Sequence, residues 1–135
     1  MSHFTTIRTK FVDVKTLVKA LAMVGFVNVE VHAEAQNLYG YKGDKRPQTA
    51  EVIIRRRYVG KISNDIGFKR ISDGSFDTII SDYDRQKYDA KWLGKLCQHY
   101  ACIVAKEKLI SQGFAIVEEN FGKDKAIHIT MRRIA

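Results

Sequence analysis

Proline occurs once, at Pro47, in a chain of 135 residues. That excludes a polyproline stalk or a proline-rich linker. Cysteine occurs twice, at Cys97 and Cys102. The two lie five apart in a stretch that reads as helix, so they point about 140° away from each other. They cannot pair without breaking that helix, which points to reduced, structural thiols in a reducing compartment. No apolar run approaches the ~20 residues that a membrane span requires. The opening MSHFTTIRTKF has no apolar signal core and already alternates like a strand, so nothing obvious is cleaved. Low-complexity tracts and internal repeats are absent. Acid is in short supply: 15 Asp and Glu stand against 23 Lys and Arg, for a formal net charge of +8. The sequence pI is about 9.6.

What is present suffices for a core. Hydrophobic residues make up 45% of the chain and aromatics 10%. The length suits one domain over residues 1–135. The organising stretch runs from Lys91 to Gly113. Leu93, Leu96, Tyr100, Ile103 and Ile110 recur there at three- and four-residue steps, with Ala90 one turn earlier. That spacing predicts one apolar stripe of a long helix. Gly113 supplies a left-handed stop. Cys97, Cys102 and Tyr100 read as core or half-buried positions on it.

Taken in order, His3 to Phe11 alternates like a strand. Asp13 is a good N-cap for a helix with the stripe Val14, Leu17, Leu21 and Val24, ended by Gly25. Phe26 to His32 reads as the second strand. Gln36 to Thr49 holds Gly40, Gly43 and Pro47 and reads as the longest loop. Ala50 to Tyr58 reads as a strand, with Val52 and Ile54 on one face and Ile53 on the other with Arg55 and Arg57. Lys61 to Asp65 is a turn. Ile66–Ile71 and Ser75–Ile80 form a hairpin about Ser72-Asp73-Gly74. The polar Ser81 to Asp89 leads into the long helix. Phe114 to Phe121 and Lys125 to Arg133 form a last hairpin through Gly122-Lys123-Asp124. Ile127, Ile129 and Met131 are its core-facing positions. The order predicts an α+β two-layer sandwich, an antiparallel sheet covered on one face by two helices, ferredoxin-like or related.

Residues 42–70 carry nine of the basic side chains and three acidic ones, so +6 of the net charge lies there. A basic domain attracts acidic proteins, nucleic acid or anionic membrane surfaces. The candidate partner-binding residues are Tyr39, Tyr41, Lys42, Lys45, Arg46, Arg55, Arg56, Arg57 and Lys61, with Tyr58 beside them. Arginine with interleaved tyrosine is also the composition of a nucleic-acid surface. On a strand, however, Arg55 and Arg57 face away from Arg56, which splits the patch. A solvated sheet face with cross-strand ion pairs is the competing reading.

Catalytic and metal signatures do not assemble. Gly40-Tyr41-Lys42-Gly43 lacks the Gly-Lys-Ser/Thr ending and the following helix of a phosphate loop, and reads as a turn. His99 and Cys102 share a helix face, but zinc needs three or four ligands, and His3, His32 and His128 come from other segments. Asp82, Asp84 and Asp89 lack the glycine and closing glutamate of a calcium loop. Glu118 and Glu119 are adjacent on a strand and point to opposite faces. No serine sits in a nucleophile elbow.

Several segments, in order along nearly the whole chain, resemble one family. These are Met1-Ser2-His3-Phe4, Gly40-Tyr41-Lys42-Gly43 ahead of Ala50 to Ile54, and Asp65-Ile66-Gly67-Phe68. His99-Tyr100-Ala101, Gln112-Gly113-Phe114 and Val117-Glu118-Glu119 complete the set. Together they resemble the hypothetical chloroplast reading frame thirty-five family of plastids, cyanobacteria and cyanophages. The resemblance implies a photosynthetic-lineage protein and carries over no activity, cofactor or catalytic residue. The expectation is a cytoplasmic (cyanobacterial cytosol or plastid stroma), non-enzymatic binding or adaptor module that needs no cofactor. It docks on an acidic macromolecule through its basic residues. The alternative is a nucleic-acid binder using the same surface. An edge strand such as the last one offers a route to a homodimer.

Overall fold

The carboxylate of Asp13 accepts the Thr16 N–H and fixes the start of α1 (Val14–Met23). The other end closes in a Schellman turn. The Gly25 N–H donates to Ala22, the Phe26 N–H donates to Leu21, and Gly25 has φ 103°. Only a residue without Cβ takes that conformation at little cost. Asp89 caps α3 (Ala90–Ser111) in the same manner as Asp13, accepting from the Lys91 and Trp92 N–H groups. Both helices therefore begin and end where the sequence places them, to within two residues.

The structure, a computed structural model, describes residues 3–121 and 127–133. Five strands form one antiparallel sheet in the order β1-β5-β4-β3-β2. They are β1 (Phe4–Arg8), β2 (Glu30–Tyr39), β3 (Lys45–Ile54), β4 (Ile66–Arg70) and β5 (Phe76–Ser81). Because every neighbour is antiparallel, β1 and β2 run the same way at opposite edges, joined by α1. That is a split βαβ with three strands inserted, so the order is related to the ferredoxin-like one without being identical to it. A second sheet holds β6 (Phe114–Phe121) and β7 (Ile127–Arg133). Ile129 and Met131 are half-buried there, while the turn 122–124 and the Ile127 side chain lie outside the described residues.

The helices cover one face of the large sheet. Leu17, Ala20 and Leu21 of α1 and Leu96 and Ile103 of α3 pack on Val52, Ile54, Phe68, Phe76 and Ile80. Leu93 and Tyr100 join from the same stripe, but Ile110 is exposed. Each fully buried aliphatic contributes about 1.5–3 kcal/mol. The opposite face carries a smaller cluster of Leu38, Ala50, Ile53 and Ile79, with Phe4 against it. The far end of the β2–β3 hairpin curls across this face. The Arg46 guanidinium lies 5.0 Å from the Phe4 ring on the other edge strand.

Three segments depart from the sequence reading. The second strand is β2 from Glu30 to Tyr39, not Phe26 to His32. The Phe26 N–H is used to close α1, so that segment is not free to pair. Residues 36–49 are not one long loop. Asn37 pairs with Thr49 and Tyr39 with Lys45, leaving a turn at 40–44. Pro47 is tolerated because it falls at a register shift, beyond the stretch of β3 that pairs with β4. The strand over Ala50 to Tyr58 stops at Ile54, and Arg56–Val59 form a single helical turn, α2. Cys97 is exposed rather than half-buried, while Cys102 is half-buried.

Candidate anionic-partner site

The turn α2 exists because Asp65 captures it. Asp65 is 1% exposed, and its Oδ1 accepts the Arg56 N–H at 2.6 Å. Its Oδ2 accepts the Tyr39 N–H at 2.8 Å and Arg55 Nη1 at 2.9 Å. One carboxylate thus ties the end of β2, the end of β3 and the start of β4. Asn64 beside it is fully buried, and its Oδ1 accepts the Tyr41 N–H at 2.9 Å. The Asn64 N–H donates to Asp84 Oδ2 at 2.9 Å, and Ser81 Oγ donates to the same oxygen at 2.7 Å. This buried polar network holds the 60–65 loop to the β5 end, and its carboxylates satisfy each other's neighbours.

Arg55 is the hub on the open side. Its Nε donates to Glu30 at 2.9 Å and its Nη1 to the Asn37 carbonyl at 3.1 Å. Its guanidinium also lies 5.6 Å from the Tyr39 ring. Burial disfavours the Arg55 charge, but the hydrogen bonds to Glu30 and Asp65 outweigh it, and the pKa is raised. The reciprocal effect lowers the Glu30 pKa: the Arg55 hydrogen bond comes first, opposed by burial and aided by His32 at 2.8 Å.

These residues line an open cavity of about 830 Å³. Its walls include Arg55, Arg56, Arg57 and Lys61 against Glu30 and Asp65, so four cations minus two carboxylates leave +2. Arg56 Nη1 donates to the Tyr41 carbonyl at 3.0 Å, and the Arg57 guanidinium lies 4.8 Å over Tyr58. Among the described residues, none of Arg56, Arg57 and Lys61 forms a salt bridge. The strand reading split the three arginines between two faces. The helical turn that replaces the strand brings all three to one cavity.

The other candidates distribute around it. Tyr39 lines the cavity, beside Gly43 of the 40–44 turn. Tyr41 is half-buried, with the Lys42 ammonium 5.6 Å from its ring. Lys45 is exposed at the start of β3. Arg46 is directed to the opposite sheet face, over Phe4. Sequence reasoning missed Glu30 and Asp65 as partners of the arginines. Neither has a local signature, since they reach Arg55 across 25 and 10 residues. Among the described residues, no group of three His, Cys, Asp or Glu side chains is placed to hold a metal ion, and no helix is long and apolar enough to cross a membrane.

Comparison with known proteins places the chain in a family. No solved structure matches the chain. A protein from Cyanophora paradoxa named "Uncharacterized protein ycf35" is 28% identical over 137 residues, covering 98% of each chain. A family profile described as "Protein of unknown function (DUF1257)" matches residues 22–130, which span the whole of the cavity wall. The chain therefore belongs to the DUF1257 family and is similar to the ycf35 protein of Cyanophora paradoxa.

Proposed function

We propose that this protein is a non-enzymatic docking module, acting in a cytosol or stroma, that binds an acidic segment of a partner protein in the Arg55–Lys61 cavity. The observation that carries this reading is the convergence of Arg56, Arg57 and Lys61, free of carboxylate partners among the described residues, on one cavity of +2 charge. Arginine forks match carboxylates in a bidentate manner, and a concave wall desolvates them. The same surface is less suited to nucleic acid. Base stacking needs open aromatic faces, whereas Tyr39, Tyr41 and Tyr58 each have a cation, Arg55, Lys42 and Arg57 respectively, beside one face of the ring.

Fluorescence anisotropy with a labelled glutamate-rich peptide and a random single-stranded oligonucleotide tests this. The peptide is expected to bind saturably, and the double variant R56Q/R57Q to weaken it by about tenfold or more. Tighter binding of the oligonucleotide, falling steeply as salt rises, would replace this reading with the nucleic-acid one.

A further inference from the structure

The helix-side core draws buried residues from β3, β4 and β5 and the partly buried Ile7 from β1, but among the described residues it draws none from β2. Two helices thus cover four strands of five. Val31 pairs with the core residue Val52, so its side chain faces the helix layer, yet it is 52% exposed. An open groove of about 850 Å³ lies here between α1 and β2. Its apolar lining is Val14 and Val18 of α1 and Val31 and Ala33 of β2, with Phe76 buried beside them under the Arg70 guanidinium at 4.3 Å. Lys15, Lys19 and Arg70 line it against Glu51, so three cations minus one carboxylate leave +2. His32, the remaining lining residue, is tied to Glu30 at 2.8 Å.

The cations are open to a partner. Lys15 and Arg70 form no salt bridge among the described residues, and both members of the Lys19–Glu107 pair are more than half exposed. Glu51 is already used, because its Oε1 accepts the Arg70 N–H at 3.0 Å. An added strand is a poor occupant. Residues 32–35 of β2 stand opposite Glu51 alone, between the pairs Val31–Val52 and Gln36–Ala50, and such a bulge spoils edge pairing. A second copy is a poor one too, since its α1 and α3 would bring Lys15, Lys19, Lys91 and Lys95 against like charge. We infer that the α1–β2 groove docks an acidic amphipathic helix of a partner protein, which completes the helix layer over β2. Apolar side chains at three- and four-residue spacing pack on Val18, Val31 and Ala33. Flanking glutamates or aspartates meet Lys15, Lys19 and Arg70.

Fluorescence anisotropy is measured with a labelled helical peptide that carries leucines at i, i+3, i+4 and i+7 between flanking glutamates. One control scrambles the leucine stripe at constant composition, and another replaces the glutamates by lysines. The first peptide is expected to bind saturably and each control about tenfold or more weaker. Val31→Glu and Ala33→Glu place a like charge at exposed groove positions, and each should weaken binding by about tenfold or more without moving the urea midpoint. R56Q/R57Q should stay within about threefold, because the two cavities share no lining residue. Equal binding of the scrambled peptide, or unchanged affinity in both groove variants, would overturn the inference, and loss in R56Q/R57Q would move the peptide to the arginine cavity instead. Two further results would also overturn it: a dimer of the protein alone that Val31→Glu dissociates, and displacement of the peptide by phosphatidylglycerol vesicles.

Discussion

Asp65 has the largest structural responsibility of any single side chain near the arginines. Removing its carboxylate leaves the Tyr39 and Arg56 N–H groups and part of the Arg55 guanidinium without acceptors. Breaking a buried ion pair from one side costs about 3–5 kcal/mol. Asp65→Ala is therefore expected to lower stability by that amount in urea unfolding, with Asp65→Asn between it and the wild type. Glu30 gives a pH test. Its folded pKa lies below the ordinary 4.5, chiefly through Arg55. A carboxyl with a depressed folded pKa contributes stability above its unfolded value and loses it as pH falls through the folded one. The urea midpoint should drop as pH is lowered from about 4.5, and Glu30→Gln should make that decline shallower. An unchanged acid limb in Glu30→Gln would show that Arg55 gains nothing from this partner.

Elements were legible where a local signal sufficed and illegible where a distant contact decided. Both long helices could be read because apolar periodicity, an aspartate cap and a glycine stop coincide within one segment. The β4–β5 hairpin was legible through Ser72-Asp73-Gly74, where Asp73 accepts the Ser75 N–H at 2.9 Å. β2 was not, because EVHAEAQNLY alternates weakly at an exposed sheet edge. Nor was α2, whose RRYV reads as more strand until Asp65, nine residues beyond Arg56, turns it. The curl of the β2–β3 hairpin depends on Gly67. A Cβ there would lie 2.8 Å from Ala50 Cβ and 3.0 Å from Leu38 Cδ2. Gly67→Ala is expected to cost about 1–3 kcal/mol by overpacking. If it does not, β3 yields more easily than its packing on β4 implies. Leu38→Ala beside it costs stability on its own, but the double variant should lose less than the sum of the two single changes, since Leu38→Ala removes one of the two clashing neighbours.

At the scale of the whole molecule, the question is whether the +8 charge acts as a diffuse field or as a place. A diffuse field would attract any polyanion in proportion to net charge and fade within roughly 10 Å at ordinary ionic strength. The fold argues for a place, because α2 gathers Arg56, Arg57 and Lys61 where a strand would have scattered them. Two triple variants separate these cases. R56Q/R57Q/K61Q and K91Q/K95Q/K108Q each remove three positive charges from +8, leaving +5. The lysines of the second set are exposed along α3, outside the cavity. If charge acts as a field, both variants weaken acidic-peptide binding equally. If it acts as a place, the first weakens it by about tenfold or more, or about 1.4 kcal/mol, and the second stays within about threefold. Raising salt should then shrink the small difference between wild type and the second variant while leaving most of the difference between wild type and the first. Rim charges are screened from the partner together, but guanidinium forks seated in a desolvating wall retain their geometry.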